Sequence, residues 1–436
     1  MHPQFHLSPI KNWCNDPVGF IYYQGKYHLF YQYFPYGCTC GTMHWRHAVS
    51  QDLVHWQDLD IALYPSKSYD ANGCFSGSSL EVNGQMYIYY TSIQYTHPDP
   101  ENIHQNISGD DFIASQSMLI SPDGFHFDNI KDKHLIIPVF KDGEIGHSTH
   151  TRDPKVWKHN DTYYMVLASK YLDENNHYQG QLLFYTSLDA KEWTYQNNYR
   201  GIKIGDMWEC PDIFQIKKQQ FLIMSPERTE NHGYPSHARI TTCDFSHDNC
   251  ELTITNELRL LDYGRDLYAP QTTIDESGRR IYIGWMRMPV KADGWSGLFI
   301  YPRVIEYHDG HIYTRLHPHV KALFNKETDH FDYQKATHIH TTMHSGDSMN
   351  IGGYMIQYQD CLKVDRTHVF QSGNKDVDLI CETPSIEHCD LDIYVDQYII
   401  EIYINDGYYV LSHVVYNLNN TIESTVPYTL KVSKVV

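Results

Sequence analysis

A short hairpin-like segment recurs five times in the first three quarters of the chain, with copies beginning at Gln24, Asn83, Asn160, Lys217 and Ser277. Each copy places turn-forming residues before a run of β-branched and aromatic residues, a pattern that predicts two strands joined by a tight turn. The copies start roughly 55 to 80 residues apart, a period typical of propeller blades with long loops. A plain β-sandwich would explain the strands but not this long-period repeat.

The repeats predict an all-β fold, with a five-bladed β-propeller at residues 1–315 followed by a C-terminal β-sandwich at 335–436. A linker at 316–334 contains Pro318 and a short stretch of helical character at 320–324. In the last segment, Asn405, Asp406 and Gly407 predict a hairpin turn between two strands of alternating pattern.

The charge balance excludes several partners. Lys and Arg number 34 against 53 Asp and Glu, which gives a net charge of −19. Nucleic acids and anionic membranes are bound through basic surfaces, so neither is expected as a partner. No apolar run is long enough to span a membrane, and Met1 to Lys11 do not resemble a signal peptide. We therefore expect a cytoplasmic protein whose ten cysteines are free thiols. The sequence does not predict the oligomeric state.

Carboxylates stand at equivalent positions just upstream of three of the hairpins, at Asp16, Asp153 and Glu209. The first strand of a propeller blade lines the central channel, so the shared offset places all three acids around one axial pocket. Like charges resist joint ionisation, so a cluster of carboxylates destabilises the fold. Such a cluster is therefore typical of a functional site. A single Asp-Pro pair is more often a simple turn, but three acids in register favour a functional site.

Two carboxylates that flank an acetal carbon are the apparatus of glycoside hydrolysis. One attacks or stabilises the anomeric centre, and the other gives a proton to the leaving oxygen. A metal site is the competing hypothesis, but no His stands in register with the acids, so we predict no metal and no cofactor. The aromatic residues expected to stack on a sugar are Trp13, Trp45, Phe75, Trp208 and Trp285.

Five motifs in this order resemble those of glycoside hydrolase family 32, which comprises invertases, fructanases and sucrose-6-phosphate hydrolases. They are Trp13-Cys14-Asn15-Asp16-Pro17-Val18-Gly19, Phe75-Ser76-Gly77-Ser78, Arg152-Asp153-Pro154, Trp208-Glu209-Cys210-Pro211-Asp212 and Asp266-Leu267-Tyr268-Ala269-Pro270-Gln271. The resemblance covers essentially the whole chain, and it implies the same propeller and sandwich that the repeats predict.

The resemblance also implies the role of each acid. Asp16 matches the nucleophile that forms a covalent fructosyl-enzyme, Glu209 the general acid/base, and Asp153 the carboxylate that stabilises the transition state. We expect Arg152 to keep a neighbouring carboxylate ionised while Glu209 is pushed toward protonation. The residues expected to bind the substrate are Asn15, Gln32, Trp45, Phe75, Ser76, Arg152, Tyr268 and Trp285.

Four positions depart from the family's usual motifs: Cys14, Val18, Cys40 and Arg46. Cys40 stands where an aromatic wall residue is expected, and Arg46 stands in place of a glycine. None of these changes touches the three acids, so activity is still expected. Arg46 is a candidate phosphate ligand because guanidinium groups bind phosphate bidentately; the alternative is an ordinary surface charge.

The substrate predicted from the resemblance is a small sugar, sucrose 6-phosphate or sucrose, hydrolysed with retention by a β-fructofuranosidase. The chain's cytoplasmic character and its resemblance to the bacterial sucrose-6-phosphate hydrolases favour the phosphorylated sugar. An intracellular invertase or fructanase acting on plain sucrose or fructo-oligosaccharides is the alternative. A family-43-like pentosidase and a non-catalytic sugar-binding module are weaker alternatives, because all the motifs and all three acids are present.

Overall fold

The computed structural model describes residues 1–141, 144–229, 233–370 and 377–434. Left-handed backbone at the tight turns forms the five predicted hairpins. Gln24 and Gly25 have φ of 49° and 77°, and Asn83 and Gly84 have 52° and 79°. Two successive positive φ values are what a type I′ turn requires, and its twist matches that of the flanking strands. All five repeats are antiparallel hairpins in the structure.

The strands before residue 317 form five separate sheets. The first sheet contains β1 Asn12–Tyr23, β2 Lys26–Phe34, β3 His44–Ser50 and β4 Trp56–Leu63, and the second β5 Gly73–Val82, β6 Gln85–Tyr95, β7 Phe112–Ser121 and β8 Lys133–Ile137, preceded by a 3₁₀ turn at Ser68–Asp70. The third contains β9 Thr151–His159, β10 Thr162–Leu172, β11 Tyr178–Ser187 and β12 Thr194–Tyr199.

The fourth sheet contains β13 Met207–Ile216, β14 Gln219–Glu227, β15 Arg239–Ser246, β16 Glu251–Ile254 and β17 Arg259–Leu260. The short strand β20 Trp295–Ser296 belongs to the first sheet, where it pairs with β1. The fifth sheet contains β18 Leu267–Ile274, β19 Arg280–Met286, β21 Leu298–Phe299, β22 Arg303–His308 and β23 His311–Leu316.

The first strands of the five sheets form a closed ring. In order around the ring, β1 contacts β5, β5 contacts β9, β9 contacts β13, β13 contacts β18, and β18 contacts β1 again. The parallel pairing of β20 with β1 adds a late segment of the chain to the first sheet. The closed ring places the starts of all five first strands around one axis, which is the arrangement that the repeats predict.

The described residues after 317 form two packed sheets. One has the order β24-β34-β25-β30-β31-β32 and the other β29-β28-β27-β26-β33. Their bounds are α1 Pro318–Leu323, β24 Phe324–Glu327, β25 Thr337–Met343, β26 Ser348–Ile351, β27 Tyr354–Tyr358, β28 Leu362–Asp365, a 3₁₀ turn at Thr367–Val369, β29 Ile380–Glu382, β30 Cys389–Asp396, β31 Ile399–Ile404, β32 Tyr409–Val414, β33 Ile422–Ser424 and β34 Thr429–Ser433.

The segment predicted as a linker holds the short helix α1 and the strand β24, which pairs with β34. Part of it therefore belongs to a sandwich sheet. The predicted hairpin at Asn405 to Gly407 joins β31 and β32, and all three residues have positive φ. The all-β fold with a C-terminal sandwich is confirmed.

A buried ion network joins the two parts of the molecule. His6 Nδ1 lies 2.9 Å from Asp396 Oδ2, and His6 Nε2 lies 2.9 Å from Glu401 Oε1. Arg303 donates to Glu401 Oε2 at 2.6 Å and to Asp262 Oδ2 at 2.7 Å. Burial raises the pKa of Glu401, but Arg303 and His6 outweigh it and lower that pKa to about 2. The two carboxylates from the sandwich are thus held ionised by cations from the propeller.

All ten cysteines are free thiols, as expected. Among the described residues, no helix has the length and apolar character needed to cross a membrane.

Candidate active site

Each first strand carries a β-bulge at its sequence motif. The pairing with the second strand slips between Cys14 and Pro17 in the first sheet, between Phe75 and Gly77 in the second, and between Glu209 and Asp212 in the fourth. Equivalent slips occur at Asp153 and at Ala269. Proline cannot donate to the strand ladder, so a bulge accommodates it. Bulges re-aim side chains, which explains why these motifs point into the channel.

The bulges bring the predicted site residues to one cavity of about 370 Å³. It contains all three acids and seven of the predicted sugar-binding residues, namely Asn15, Gln32, Phe75, Ser76, Arg152, Tyr268 and Trp285. A cavity of about 450 Å³ lies at the opposite ends of the first strands, where Lys155 pairs with Asp212 at 2.8 Å. We assign the site to the smaller cavity because only there do unbalanced carboxylates converge.

Three amide and hydroxyl groups hold the Asp16 carboxylate. Ser76 Oγ donates to its Oδ2 at 2.5 Å, Gln32 Nε2 lies 3.5 Å from the same oxygen, and Asn15 Nδ2 donates to Oδ1 at 3.2 Å. Burial and the negative charge of Glu209 raise the pKa of Asp16 to about 7, although the Ser76 hydrogen bond opposes the shift. The hydrogen bonds from Ser76 and Asn15 fix the carboxylate in position and favour its ionised form, which is the form that a nucleophile needs.

Asp153 is buried in a left-handed conformation, with φ of 63°. Its Oδ2 accepts the N–H of Cys210 at 2.9 Å, and its own N–H donates to Thr91 Oγ1 at 2.9 Å. Burial raises the pKa of Asp153 to about 6, with Arg152 opposing and Glu209 reinforcing the shift. These bonds lock the side chain against the bulge of the neighbouring strand.

Glu209 is clamped by a cation and a phenol. Arg152 donates to Glu209 Oε1 through Nη2 at 2.7 Å and through Nε at 3.0 Å, and Tyr268 donates a short hydrogen bond to Oε2. Burial raises the pKa of Glu209, but Arg152 and these hydrogen bonds outweigh it, so the net shift is downward. The expectation that Glu209 is pushed toward protonation is therefore wrong: the carboxylate that Arg152 keeps ionised is Glu209 itself.

Four predicted residues do not line the cavity, namely Trp13, Trp45, Trp208 and Arg46. Trp13 lies beside the wall, where its indole N–H donates to Asn15 Oδ1 at 3.3 Å. Trp45 is fully buried, and its indole N–H donates to the Phe75 carbonyl at 3.1 Å, so it supports the wall from behind. Trp208 is also a core residue, bonded to the Ile204 carbonyl at 2.7 Å. Arg46 binds Asp58 through two nitrogens, and only 17% of its side chain is exposed. A phosphate at Arg46 would compete with Asp58.

The structure adds residues to the cavity wall that the sequence analysis missed, among them Glu227, Arg228, His150 and Asp110. Arg152 Nη2 also donates to Glu227 Oε1, at 3.0 Å. Burial and the charge of Glu209 raise the pKa of Glu227 to about 7. The hairpin register could have revealed this residue, because Ser225 pairs with Glu209 and Glu227 lies two positions further on the same face.

His150 is a neutral member of the wall. It accepts a hydrogen bond from Arg152 Nη1 at 2.9 Å, and its other nitrogen lies 3.1 Å from Asp110 Oδ1. Burial and the charge of Arg152 lower the pKa of His150 to about 2. In the described part of the chain, no group of three or more His, Cys, Asp or Glu side chains is placed to hold a metal ion.

Residues 6–318 match the N-terminal domain of glycosyl hydrolases family 32, and residues 353–432 match the C-terminal domain of that family. Together with the ring of bulged strands and the three acids, these matches define the class. The chain belongs to glycosyl hydrolase family 32.

Within the family, the chain is 35% identical over 326 residues to sucrose-6-phosphate hydrolase of Zymomonas mobilis, covering 71% of this chain and 61% of that protein. It is 30% identical to raffinose invertase of Escherichia coli, covering 95% of this chain and 89% of that protein. The structure of sucrose-6-phosphate hydrolase from Lactobacillus gasseri matches with a TM-score of 0.85 at 26% identity, covering 99% of this chain and 93% of that one.

Proposed function

We propose that this chain is a retaining β-fructofuranosidase that hydrolyses the glycosidic bond of sucrose 6-phosphate or sucrose and releases fructose. The observation that carries the proposal is the placement of Asp16, Asp153 and Glu209 at equivalent bulges around one cavity. Membership of family 32 supports a fructoside as the substrate. It also argues against the family-43-like pentosidase, and the retention of all three acids argues against a non-catalytic module.

In the first step, an oxygen of the Asp16 carboxylate attacks the anomeric carbon of the fructosyl unit. The bond from that carbon to the glycosidic oxygen breaks, and Glu209 gives its proton to the leaving oxygen. Asp153 carries negative charge beside the developing oxocarbenium ion. The hydrogen bonds from Ser76 and Asn15 hold Asp16 for this attack.

In the second step, water attacks the same carbon and the bond to Asp16 breaks. Glu209 takes the proton from the water and returns to its acid form. Tyr268 and Arg152 hold the Glu209 carboxylate between the two steps, when it carries its negative charge. Fructose leaves, and the Asp16 carboxylate is regenerated.

The rim of the cavity supports a phosphorylated substrate. Arg228 lines the cavity with 58% of its side chain exposed, and its charge is shared with Asp206. Arg228 is better placed for a sugar phosphate than Arg46, because Arg228 lines the cavity and Arg46 does not. The likeness to sucrose-6-phosphate hydrolases of bacteria points the same way, and a cytoplasmic location would follow from it.

The experiment is a steady-state comparison of the purified protein on sucrose and on sucrose 6-phosphate. We expect a higher kcat/KM for the phosphorylated sugar, and Arg228→Gln should reduce that preference while leaving hydrolysis of sucrose in place. If Arg46→Gln removes the preference instead, the sequence-based assignment of the phosphate ligand is the right one. Equal or better activity on sucrose would make the chain an invertase or fructanase, the second candidate that the likeness to raffinose invertase favours.

A further inference from the structure

Glu227 is a carboxyl group that the two-carboxylate mechanism does not use. It ends β14, beside the strand that carries Glu209, and it lines the same cavity. Arg152 Nη2 lies 2.7 Å from Glu209 Oε1 and 3.0 Å from Glu227 Oε1, so one nitrogen bridges the two carboxyl groups. The negative charge of Glu209 also acts on Glu227 and, together with burial, raises the pKa of Glu227 to about 7.

Two carboxylates that lie against one cationic nitrogen repel each other, so a proton on one of them is favoured. The pair therefore holds one proton and one negative charge, and the negative charge balances Arg152. The positive charges of Lys170 and Arg228 also attract Glu227. Asp206 pairs with both cations, and its Oδ2 lies 3.3 Å from Lys170 Nζ. The remaining charged and titratable groups on the side facing Glu209 are Asp16, Asp153, Cys210 and Tyr268.

We propose that Glu227 is the proton-holding partner of Glu209, and that the two carboxyl groups share, under the Arg152 bridge, the proton that Glu209 delivers to the leaving oxygen. The inference rests on the proposed fructosidase function and deepens it. Glu227 acts through Glu209 and is a positioning residue. It resolves the conflict between a Glu209 held ionised by Arg152 and a reaction that needs Glu209 as an acid.

The protons balance over the cycle. Before the first step the pair holds one proton, which moves from Glu227 to Glu209 and then to the leaving glycosidic oxygen. The pair is then doubly negative against Arg152 while Asp16 is esterified, so the total charge of the acids is unchanged. In the second step Glu209 takes one proton from the attacking water, and the pair shares it again.

The test is the pH profile of kcat/KM for sucrose with the wild type and Glu227→Gln. Loss of the second carboxyl leaves Glu209 alone under Arg152 and Tyr268, which hold its pKa below the ordinary value. We expect the basic limb to move toward acid by about one pH unit or more, with turnover at pH 7 reduced about tenfold or more. A fructoside with an activated aryl leaving group, which needs less protonation, should lose much less.

Glu251→Gln is the matched control, since Glu251 is an exposed glutamate of the same sheet, bonded to Asn249; its profile should equal that of the wild type. If the basic limb does not move in Glu227→Gln, or if activity falls equally on both substrates, the inference is wrong. The proposed function would still stand in that case, because it depends on the activity of the wild type. A wild type that hydrolyses neither sugar nor the aryl fructoside would overturn both. If Glu227→Gln does not fold, a ¹³C NMR titration of wild-type glutamates decides: a protonated carboxyl near neutral pH is expected, and full ionisation by about pH 5 would contradict the inference.

Discussion

Two groups of buried carboxylates in this molecule have opposite consequences. At the junction of propeller and sandwich, Asp396 and Glu401 face His6 and Arg303, and the pKa of each carboxyl lies below its ordinary value. In the axial cavity, Asp16, Asp153, Glu209 and Glu227 lie together, and Arg152 bridges the last two. There, three of the four carboxyl groups have a raised pKa.

The ratio of carboxylates to cations separates the two regions. At the junction, where two cations face Asp262, Asp396 and Glu401, the last two carboxylates stay ionised and hold two parts of the protein together. In the cavity, where four carboxyl groups lie together and one cation bridges two of them, protons remain in the site near neutral pH, which is what acid/base chemistry needs. The difference predicts that substitutions in the two regions affect different properties.

The largest expected effect is on turnover. Asp16→Asn removes the proposed nucleophile but keeps the shape of the side chain, so we expect kcat on sucrose or its 6-phosphate to fall by about 10⁴-fold or more. Fructose release measured over hours gives the residual rate. Near-normal turnover in this variant would contradict the assignment of Asp16.

The second expected effect is on stability. Glu401→Gln leaves Arg303 buried against one carboxylate fewer and removes a partner of His6, so we expect a loss of about 3–5 kcal/mol in the free energy of unfolding. Denaturant titration measures it. The folded variant should keep the wild-type kcat, and a variant that is stable but inactive would show that the junction takes part in catalysis.

The third prediction concerns the pH dependence of stability, which should have opposite sign in the two regions. The pKa of Asp16 is raised from 3.8 to about 7 in the folded state, so its ionisation destabilises the fold as pH rises through that window. Asp16→Asn should therefore be more stable than the wild type by about 1–2 kcal/mol at pH 8, with no gain below pH 4.

Glu401 provides the comparison for this prediction. Its pKa falls from 4.5 to about 2 on folding, so it stabilises the fold above pH 4.5 and the stabilisation is lost as pH falls toward 2. The loss of stability in Glu401→Gln relative to the wild type should therefore become smaller as pH falls from 4.5 to 2. Suppose the stability difference between Asp16→Asn and the wild type had the same sign, over the same pH range, as that between Glu401→Gln and the wild type. The distinction between the two regions would then be wrong.

The smallest expected effect is at Ser76. Its hydroxyl donates to Asp16 and favours the ionised form, so Ser76→Ala should raise the pKa of the nucleophile. We expect the acid limb of kcat/KM to move upward by less than about one pH unit, without a change in the basic limb. If only the basic limb moved, Asp16 would not be the group whose ionisation produces the acid limb.

Much of the fold and site could be predicted because turn chemistry and repeat spacing are local properties of the sequence. The positive-φ turns at Gln24-Gly25 and Asn83-Gly84 fix the hairpins, and the hairpins fix the offset that brings Asp16, Asp153 and Glu209 to one cavity. The bulges themselves were not predicted, although the prolines in the motifs are a signal for them.

The remainder depended on contacts between distant strands. Trp45 resembles a sugar platform by residue type, but the closed ring places it in the core behind Phe75. Arg152 stands next to Asp153 in the sequence, yet it binds Glu209 and Glu227 on the next sheet. Which carboxylate a cation neutralises is decided by packing between blades, so the direction of the Glu209 pKa shift could not be read from the motif.

The most direct test of the central claim is the stereochemistry of the first product when methanol competes with water. If Asp16 forms a covalent fructosyl-enzyme and the Glu209–Glu227 pair handles the protons, ¹H NMR during turnover of sucrose should show methyl β-fructofuranoside as the first-formed glycoside. First formation of the α-anomer would contradict a covalent intermediate on Asp16, whatever the rates of the variants.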